Sequence, residues 1–426
     1  MATPIERVSV HVQLPSGDEV LVGEATNLTA PGFQRRALGF EYDLGYLTNA
    51  AAYELSPDLP MQRGVTTTMM NRTTLGAFAD AMPDSWGRRI IQAAHRSDGS
   101  RSRTPLDDFG LLIGANDLTR LGALRFTELG SSAYLSQPAD AVAGEIELPD
   151  LLAAAERFAE SREDEDDLRR LLAAGTSAGG ARPKATIRRN DGRLALAKFP
   201  HPEDRGDVEA WEATCLHLAR HVGIATPKFE HVRLTEGRSM LLLERFDRTA
   251  DGRRIGYLSA ESLVLRAANE VVDYATLADH LARRSAAPSA DLEDLFRRVT
   301  LSLLVNNVDD HMKNHGVLRQ SGGWRLSPVF DVNPQRVTGA IEATPISPGA
   351  DPVDRDIRDL VASAGAFGLS QTRAARIVAD VEVGTRDWGR IAVEQFGVHP
   401  DAVPSMARAF DGPNRTAANE VASELL

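Results

Sequence analysis

Cysteine is nearly absent from this sequence, and its scarcity limits the kinds of site the protein can hold. Cys215 is the single cysteine among 426 residues. One thiol cannot form a disulfide within the chain, and it cannot build a zinc site that needs several cysteines. The sequence therefore indicates neither a disulfide scaffold nor a cysteine-based zinc module.

Long apolar runs are absent as well. The opening residues, MATPIERVSVHVQ, contain no apolar segment of signal-peptide length. No later stretch reaches the roughly 18 apolar residues that are needed to cross a bilayer. We therefore expect a soluble, cytoplasmic protein that has no membrane partner.

Basic residues are fewer than acidic residues in this sequence. The chain has 48 Lys and Arg residues against 60 Asp and Glu residues, so its formal net charge is −12. That charge opposes attraction of the whole molecule to nucleic acid, although a local basic patch could still contact phosphates. Any role on DNA is therefore expected to come mainly through a partner.

The sequence does contain an ordered series of strand and helix patterns. In the first third, VSVHVQL and EVLVGEA flank the turn PSGD, and GFEYDLGYL has the pattern of another strand. TTLGAFADAMPDSWGRRIIQAAHR has helical spacing that is interrupted at Pro83. The length suits two or three domains, and we predict an N-terminal subdomain over residues 1–130.

The middle of the chain contains a small-residue loop, AAGTSAGGARPKA, followed by two predicted hairpins. ATIRR and RLALAKFP flank the turn NDG and predict a hairpin that carries Lys198. Asp207 can cap a helix over VEAWEATCLHLARHVG, after which FEHVRLT and SMLLLERF predict a second hairpin. We predict a small lobe over residues 131–246 and a mainly helical C-terminal lobe over residues 247–426.

A glycine loop, a hairpin with a lysine, a helix with an acid, a second hairpin and then helices follow the order of elements in protein kinases. The sequence therefore predicts an α+β protein with a two-lobed protein-kinase-like fold. We expect an added N-terminal subdomain and a mainly helical C-terminal lobe that carries the catalytic loop.

The segment LVNNVDDHMKNHGV, residues 304–317, supplies the candidate catalytic groups. Protein kinases use a catalytic-loop Asp to accept the proton of the acceptor hydroxyl, and an Asn about five residues later to bind Mg²⁺. Asp309 and Asn314 have this spacing and Asp310 does not, so we assign the base to Asp309. The predicted hairpin GVLRQ-SGG-WRLSPVFD ends at Asp331, which takes the place of a second metal-binding Asp.

Together these positions predict a site for ATP and Mg²⁺. Lys198 is expected to contact the α- and β-phosphates while Glu212 holds its ammonium, and Asn314 and Asp331 offer the oxygen ligands that Mg²⁺ prefers. Backbone N–H groups of the glycine loop would wrap the phosphates, and the end of the second hairpin would bond the adenine edge. The other predicted cofactor-binding residues are Gly179, Gly180, Ala181, Arg182, Pro183, Lys184, Glu244, Arg245, Phe246 and His311.

Each of these features has an ordinary structural interpretation when it is taken alone. A loop of Asp, Asn and His after a helix is commonly a polar helix end, and the glycine loop matches neither GxxxxGK[ST] nor GxGxxG. His311 and His315 have the i,i+4 spacing of a zinc site, but the Glu of HExxH is missing. The order of the features, rather than any one of them, favours a nucleotide site.

Several segments resemble a known family. SAGGARPKA, LLLERFDR, NNVDDHMKNHG and LSPVFDVNP resemble the HipA family of bacterial serine/threonine kinases, the toxin components of toxin–antitoxin pairs. AFADAMPDSWGRRI and DDFGLLIGANDLTRLGALRF are similar to the N-terminal subdomain of that family. The resemblance covers most of the chain.

The resemblance implies that the protein arrests growth by phosphorylating a translation component such as an aminoacyl-tRNA synthetase. The family's base, metal ligands, phosphate lysine and adenine segment fall on the residues assigned above. Its autophosphorylation serine falls on Ser177, and Thr176 is a nearby alternative acceptor. The resemblance also implies a small DNA-binding, HipB-like antitoxin through which operator DNA is mainly contacted.

Two other functions stay open. Asp-x-His-x-x-Asn, here Asp309 to Asn314, also resembles the catalytic loop of phosphoinositide kinases, so a small-molecule or lipid kinase is one alternative. The other is a catalytically silent partner of a DNA-binding antitoxin. The presence of Asp309, Asn314, Asp331 and Lys198 together argues against a silent protein.

Overall fold

The computed structural model describes residues 5–29, 36–68, 74–97, 106–136, 142–174, 180–267, 270–336 and 343–425. The chain divides into two compact units. The first unit comprises Met1–Pro202, Glu244–Leu258 and Leu318–Ser321, and the second comprises Glu203–Leu243, Ser259–Val317 and Gly322–Leu426. The glycine loop and Lys198 thus belong to the first unit and the catalytic loop to the second. The three-part division at residues 130 and 246 stays a prediction.

The first unit is built on a five-stranded antiparallel sheet. Its strands are β1 Arg7–Gln13, β2 Glu19–Thr29, β3 Arg36–Tyr42, β4 Thr66–Thr67 and β5 Leu124–Glu128. They lie in the order β4-β3-β2-β1-β5. In β1, Val8, Val10 and Val12 are fully buried, which is the period-two pattern of a strand with one face on the core. The strands predicted over VSVHVQL and EVLVGEA are confirmed.

The third predicted strand, GFEYDLGYL, is wrong in its second half. Strand β3 ends at Tyr42, and the short helix α1 follows at Leu44–Leu47. The change occurs at Asp43, whose side chain accepts hydrogen bonds from the backbone N–H groups of Gly45 and Tyr46. A carboxylate in this position favours the start of a helix over continuation of a strand.

The described residues of the first unit also contain five more α-helices and a hairpin. The helices are α2 Gly76–Ala81, α3 Ser85–Ser97, α4 Asp108–Gly114, α5 Leu148–Ala159 and α6 Glu165–Ala173. The break between α2 and α3 confirms the interruption predicted at Pro83. Strands β6 Lys184–Arg188 and β7 Leu194–Lys198 form the predicted hairpin, in which Lys184 lies opposite Lys198.

The second unit begins with the predicted helix and hairpin. Helix α7, Val208–His221, starts at Asp207, whose side chain accepts from Ala210 N. Strands β8 Phe229–Thr235 and β9 Arg238–Glu244 then pair antiparallel. Both predictions are confirmed.

The rest of the chain is mainly helical, as predicted. Its strands are β10 Tyr257–Ser259, β11 Gly316–Gln320 and β12 Gly323–Leu326. Its helices are α8 Ala260–Leu263, α9 Tyr274–Arg284, α10 Pro288–Leu304, α11 Ile357–Ala362, α12 Gln371–Gly384, α13 Trp388–Phe396, α14 Val403–Phe410 and α15 Pro413–Leu425. Helix α10 packs against α9 and α12 and is buried along most of its length, so it delivers the catalytic loop from the core of the unit. Within the described ranges, no helix is long and apolar enough to span a membrane.

Candidate functional site

The glycine loop is held on both sides by backbone hydrogen bonds. Thr186 N in β6 donates to Ala174 O, just before the loop, at 2.8 Å. Trp86 N in α3 donates to Gly180 O at 3.4 Å. Two elements of the first unit therefore fix where the loop starts and ends.

The predicted residues of the glycine loop differ in how far they are exposed to solvent. Gly179, Ser177 and Thr176 lie outside the described residues. Ala181 is exposed, and Pro183 is buried. The rest of the predicted loop set is Gly180, Arg182 and Lys184.

Gly180 has a geometry that favours glycine. Its φ is +90°, a conformation that residues with a side chain rarely adopt. A Cβ added at this position would lie 3.1 Å from the ammonium nitrogen of Lys184. A larger residue would therefore be strained and would also displace Lys184.

The side chain of Lys184 is engaged inside the protein. Its Nζ lies 2.8 Å from Asp84 Oδ2, and the side chains are 6% and 7% exposed. Trp86 Nε1 donates to Lys184 O at 3.0 Å, and Gly87 N donates to Asp84 Oδ1 at 2.7 Å. Burial raises the pKa of the Asp84 carboxyl, and the Lys184 ammonium is the main influence that opposes this rise.

Sequence reasoning missed Asp84 and Trp86 as support for the loop. The signal that could have indicated Asp84 is its position directly before helix α3, where a carboxylate caps the first turn. Nothing in the local sequence links it to Lys184, which is 100 residues away.

Lys198 and Glu212 belong to different units. Lys198 is partly buried at the end of β7, directly opposite Lys184. Glu212 is 3% exposed in α7. A carboxylate buried to this extent needs compensation by polar or positive groups. The Lys198–Glu212 pair itself stays a prediction.

Arg245, in the predicted adenine segment, makes hydrogen bonds within the protein through its backbone N and its guanidinium. Its N donates to Leu194 O at 2.9 Å, and its guanidinium binds both carboxylate oxygens of Asp247 at 2.7 Å and Thr119 O at 2.9 Å. Although burial opposes ionisation, Arg245 and Arg248 hold the pKa of Asp247 below its usual range. Nothing in the local sequence indicates this buried network.

The other two residues of the segment have partly exposed side chains. Glu244 accepts from Arg193 Nη1 at 3.1 Å, and the Phe246 ring centre lies 6.2 Å from that of Tyr257. The adenine contact was predicted for backbone groups of this segment, and it stays a prediction.

The catalytic loop separates its two neighbouring aspartates. Asp309 is exposed, whereas Asp310 is 4% exposed. Asn314 Nδ2 donates to Asp309 O at 2.8 Å, which fixes the backbone that carries Asp309. The assignment of the base to Asp309 agrees with this arrangement, because a base must reach its substrate.

Asp310 is the centre of a buried hydrogen-bond network. Ser302 Oγ donates to its Oδ2 at 2.5 Å, and the hydroxyl of Tyr274 donates to the same oxygen. His315 Nε2 lies 2.9 Å from its Oδ1. Burial opposes ionisation, yet His315, the positive charge of Arg355 and the Ser302 hydroxyl hold the pKa of Asp310 well below its usual range.

This network was not predicted from the sequence, although Ser302 and His315 lie near or in the quoted loop. It also shows what His315 does: the Nε2 of its ring binds Asp310. His311 is partly buried, and within the described part of the chain its Nδ1 has no hydrogen-bond partner. That nitrogen suits a ligand contact of the kind predicted for His311.

Asn314 and Asp331 have the donor chemistry that Mg²⁺ requires. Asn314 uses its amide nitrogen on Asp309 O, which turns its amide oxygen the other way. Asp331 adopts φ of +60°, an uncommon conformation for a non-glycine residue, and Asn333 Nδ2 lies 3.4 Å from its Oδ1. An amide oxygen and a carboxylate are hard oxygen ligands, so the residues fit the predicted metal.

The order of elements and the geometry of the loops define the class of this protein as an α+β, kinase-like fold. The comparison with solved structures agrees. HipA of Shewanella oneidensis, solved with HipB and operator DNA, matches with a TM-score of 0.69 at 16% identity, covering 98% of this chain and 100% of that one. Identity this low shows the fold alone.

The comparison with protein families is more specific. The HipA-like C-terminal domain matches residues 176–388, and the HipA N-terminal domain matches residues 19–127. The first match alone spans half of the chain. The chain belongs to the HipA family, which confirms the prediction from the sequence.

Two further proteins are more distantly similar. The "Putative kinase Y4mE" of Sinorhizobium fredii is 27% identical over 181 residues, which cover 37% of this chain and 41% of that protein. This match thus spans less than half of that relative. The proinflammatory kinase CtkA of Helicobacter pylori has a TM-score of 0.39 at 14% identity, covering 58% of this chain and 95% of that one. That score is too low to support an argument.

Proposed function

We propose that this protein is an ATP- and Mg²⁺-dependent serine/threonine protein kinase that acts as the toxin of a toxin–antitoxin pair. The observation that carries the proposal is the contrast between the exposed Asp309 and the buried Asp310. A rigid, buried anchor next to an accessible carboxylate is the arrangement that a catalytic base needs. Membership of the HipA family supports the same function.

The chemistry divides among a few groups. Asp309 would accept or orient the proton of the acceptor hydroxyl, and Lys198, held by Glu212, would contact the α- and β-phosphates of the substrate ATP. Asn314 and Asp331 would hold Mg²⁺, which neutralises charge that develops on the phosphates. The protein's own contribution is mainly to position the reactants and to stabilise their charge.

We propose a translation component, such as an aminoacyl-tRNA synthetase, as the protein substrate. We also propose self-inactivation by phosphorylation at Ser177, with Thr176 as the alternative acceptor. A phosphate on either residue adds about −1.5 to −2 charges to the glycine loop. This added charge disfavours the binding of ATP phosphates there.

A small DNA-binding, HipB-like antitoxin is the proposed partner. The Shewanella oneidensis HipA structure includes HipB and operator DNA. The net charge of −12 agrees with operator contact that is mainly indirect. Co-purification with the product of a neighbouring gene, and its loss when that gene is removed, would test this partner.

Labelled ATP provides the test of the activity. The purified protein is incubated with γ-labelled ATP and Mg²⁺, alone and with cell extract, and every labelled species is identified by mass spectrometry. The proposal predicts a labelled peptide containing Thr176 or Ser177 and a labelled extract protein, both absent with Asp309→Asn. Label confined to small molecules or lipids would favour the alternative kinase, and no label in any fraction would contradict a kinase.

A further inference from the structure

The end of the glycine loop rests on a buried ion pair between distant parts of the first unit. Lys184 Nζ lies 2.8 Å from Asp84 Oδ2, and both side chains are almost fully buried. Two charges removed from water destabilise a protein unless their geometry is good and their other polar atoms are satisfied. The contacts around this pair therefore indicate what it is for.

The first turn of helix α3 satisfies the pair and contacts the loop at the same time. Gly87 N binds the second oxygen of Asp84. Trp86, which is fully buried, donates its Nε1 to Lys184 O and its backbone N to Gly180 O. One helix turn thus contacts the ion pair and both ends of the segment from Gly180 to Lys184.

The ammonium of Lys184 lies directly against the loop backbone. A Cβ on Gly180 would be 3.1 Å from Lys184 Nζ, so the ammonium occupies the space beside that glycine. If Lys184 lost its carboxylate partner, it would move towards water, and the backbone at Gly180 would lose its support.

The pair also affects the lysine expected to contact ATP. Lys184 and Lys198 are directly opposite in the antiparallel hairpin, so their side chains lie on the same face. Like charges in opposite positions destabilise a sheet and disturb each other's position. Asp84 neutralises the charge on Lys184 and so reduces this repulsion.

We propose that Asp84 is a positioning residue for the phosphates of the nucleotide, acting through Lys184 on Gly180 and Lys198. This inference rests on the proposed function, because it concerns the same ATP site. Asp84 itself touches no substrate in this proposal. Its role is to keep the loop backbone in place and to limit repulsion at Lys198.

Steady-state kinetics of Asp84→Asn provide the main test. We expect the KM for ATP to rise about tenfold while kcat stays within about threefold, because the loop that receives ATP is displaced and Asp309 is untouched. Asp108→Asn is the matched control. Asp108 pairs at 2.9 Å with Arg88, which lies in α3, the helix that Asp84 precedes, but the Asp108 side chain is 36% exposed. The control should change neither constant, because exposed pairs contribute little.

The double variant Asp84→Asn/Lys184→Met tests the mechanism. It removes both charges together, so no unpaired charge is left in the protein interior. The KM for ATP should return towards the parental value and lie closer to it than in either single variant. If the effects of the two substitutions simply add, the two residues do not act as a pair and the inference is wrong.

Hydrogen exchange over residues 180–188 without nucleotide provides a second measurement. Asp84→Asn should speed exchange there and Asp108→Asn should not. Unchanged exchange and unchanged KM, in a parent protein that binds ATP, would overturn this inference and leave the proposed function standing. Absence of ATP binding by the parent would overturn both. If Asp84→Asn does not fold, Asp84→Glu and the double variant decide the question through the same constants.

Discussion

The glycine loop of the first unit and the catalytic loop of the second are both anchored by a buried carboxylate. The two anchors differ in how far along the sequence their partners lie. Asp84 and Lys184 are 100 residues apart in the chain. The carboxylate of Asp310 binds Ser302 and His315, only 8 and 5 residues away, and Tyr274, which is 36 residues away. A local anchor leaves a recognisable motif in the sequence, and a distant one does not.

The two anchors also differ in charge balance. Asp84 faces one ammonium, and burial raises its pKa. Near Asp310, His315, the positive charge of Arg355 and the Ser302 hydroxyl together hold its pKa well below the usual range. The catalytic loop is therefore supported by a carboxylate that stays ionised at neutral pH, whereas the glycine loop depends on the presence of one partner.

The largest effect should come from Asp309→Asn. We expect phosphoryl transfer to fall by about 10² to 10⁴-fold, because a general base is removed. The free energy of unfolding should change by less than about 0.5 kcal/mol, since Asp309 is exposed. Labelled-phosphate transfer and urea unfolding measure the two quantities, and a large loss of stability would place Asp309 among the structural groups.

Asp310→Ala should show the opposite behaviour, a large loss of stability. The substitution leaves Tyr274, Ser302 and His315 without their shared acceptor in the protein interior. We expect the free energy of unfolding to fall by about 3–5 kcal/mol, as when one partner of a buried pair is removed. Asp309→Ala is the control, and equal losses in the two variants would remove the proposed distinction between these neighbours.

Gly180→Ala should destabilise the first unit and weaken ATP binding. Gly192, in the β6–β7 turn, is a matched control because its φ is +85° and no atom lies within 4 Å of an added Cβ. Both alanines carry the conformational cost of about 1–2 kcal/mol. Gly180→Ala should lower the free energy of unfolding by more than Gly192→Ala, because its added methyl group also contacts Lys184. Only Gly180→Ala should weaken ATP binding. Calorimetry and denaturant unfolding measure these effects, and equal results for both glycines would show that the contact with Lys184 is unimportant.

The smallest effect is on acid stability. Because the pKa of Asp310 is lower in the folded protein than in the unfolded chain, its stabilising contribution is complete above the unfolded value, about pH 4. That contribution is lost as the pH falls further. The stability difference between the parent and Asp310→Asn should therefore narrow below about pH 4. A difference that stays constant down to pH 2.5 in urea titrations would contradict the depressed pKa.

Sequence reasoning succeeded where the information was local. The turn residues identified both hairpins. The spacing of Asp309 and Asn314 agrees with the bond from Asn314 Nδ2 to Asp309 O, and the catalytic role of this loop stays a prediction. Sequence reasoning failed where a side chain interacts with distant parts of the chain. The side chain of Arg245 is buried against Thr119 O, 126 residues away, which the local sequence does not indicate. The assignment of the Arg245 backbone to the adenine segment stays a prediction.

Two other differences involve aspartates that precede helices. Asp43 ends a strand pattern by capping a helix, a local preference that the alternating apolar residues concealed. Asp84 also precedes a helix, but its second oxygen is used by Lys184, which only the folded chain brings near. The capping roles of Asp43 and Asp84 could thus have been predicted from the local sequence, whereas the ion pair between Asp84 and Lys184 could not.

The most direct test of the central claim compares phosphate transfer from γ-labelled ATP by Asp309→Asn and Asp310→Asn. Both are measured at a temperature where both variants are folded and at equal ATP occupancy. We predict that Asp310→Asn keeps at least about tenfold more activity than Asp309→Asn, because it weakens an anchor and leaves the base in place. Transfer that survives in Asp309→Asn and is lost in Asp310→Asn would contradict the account.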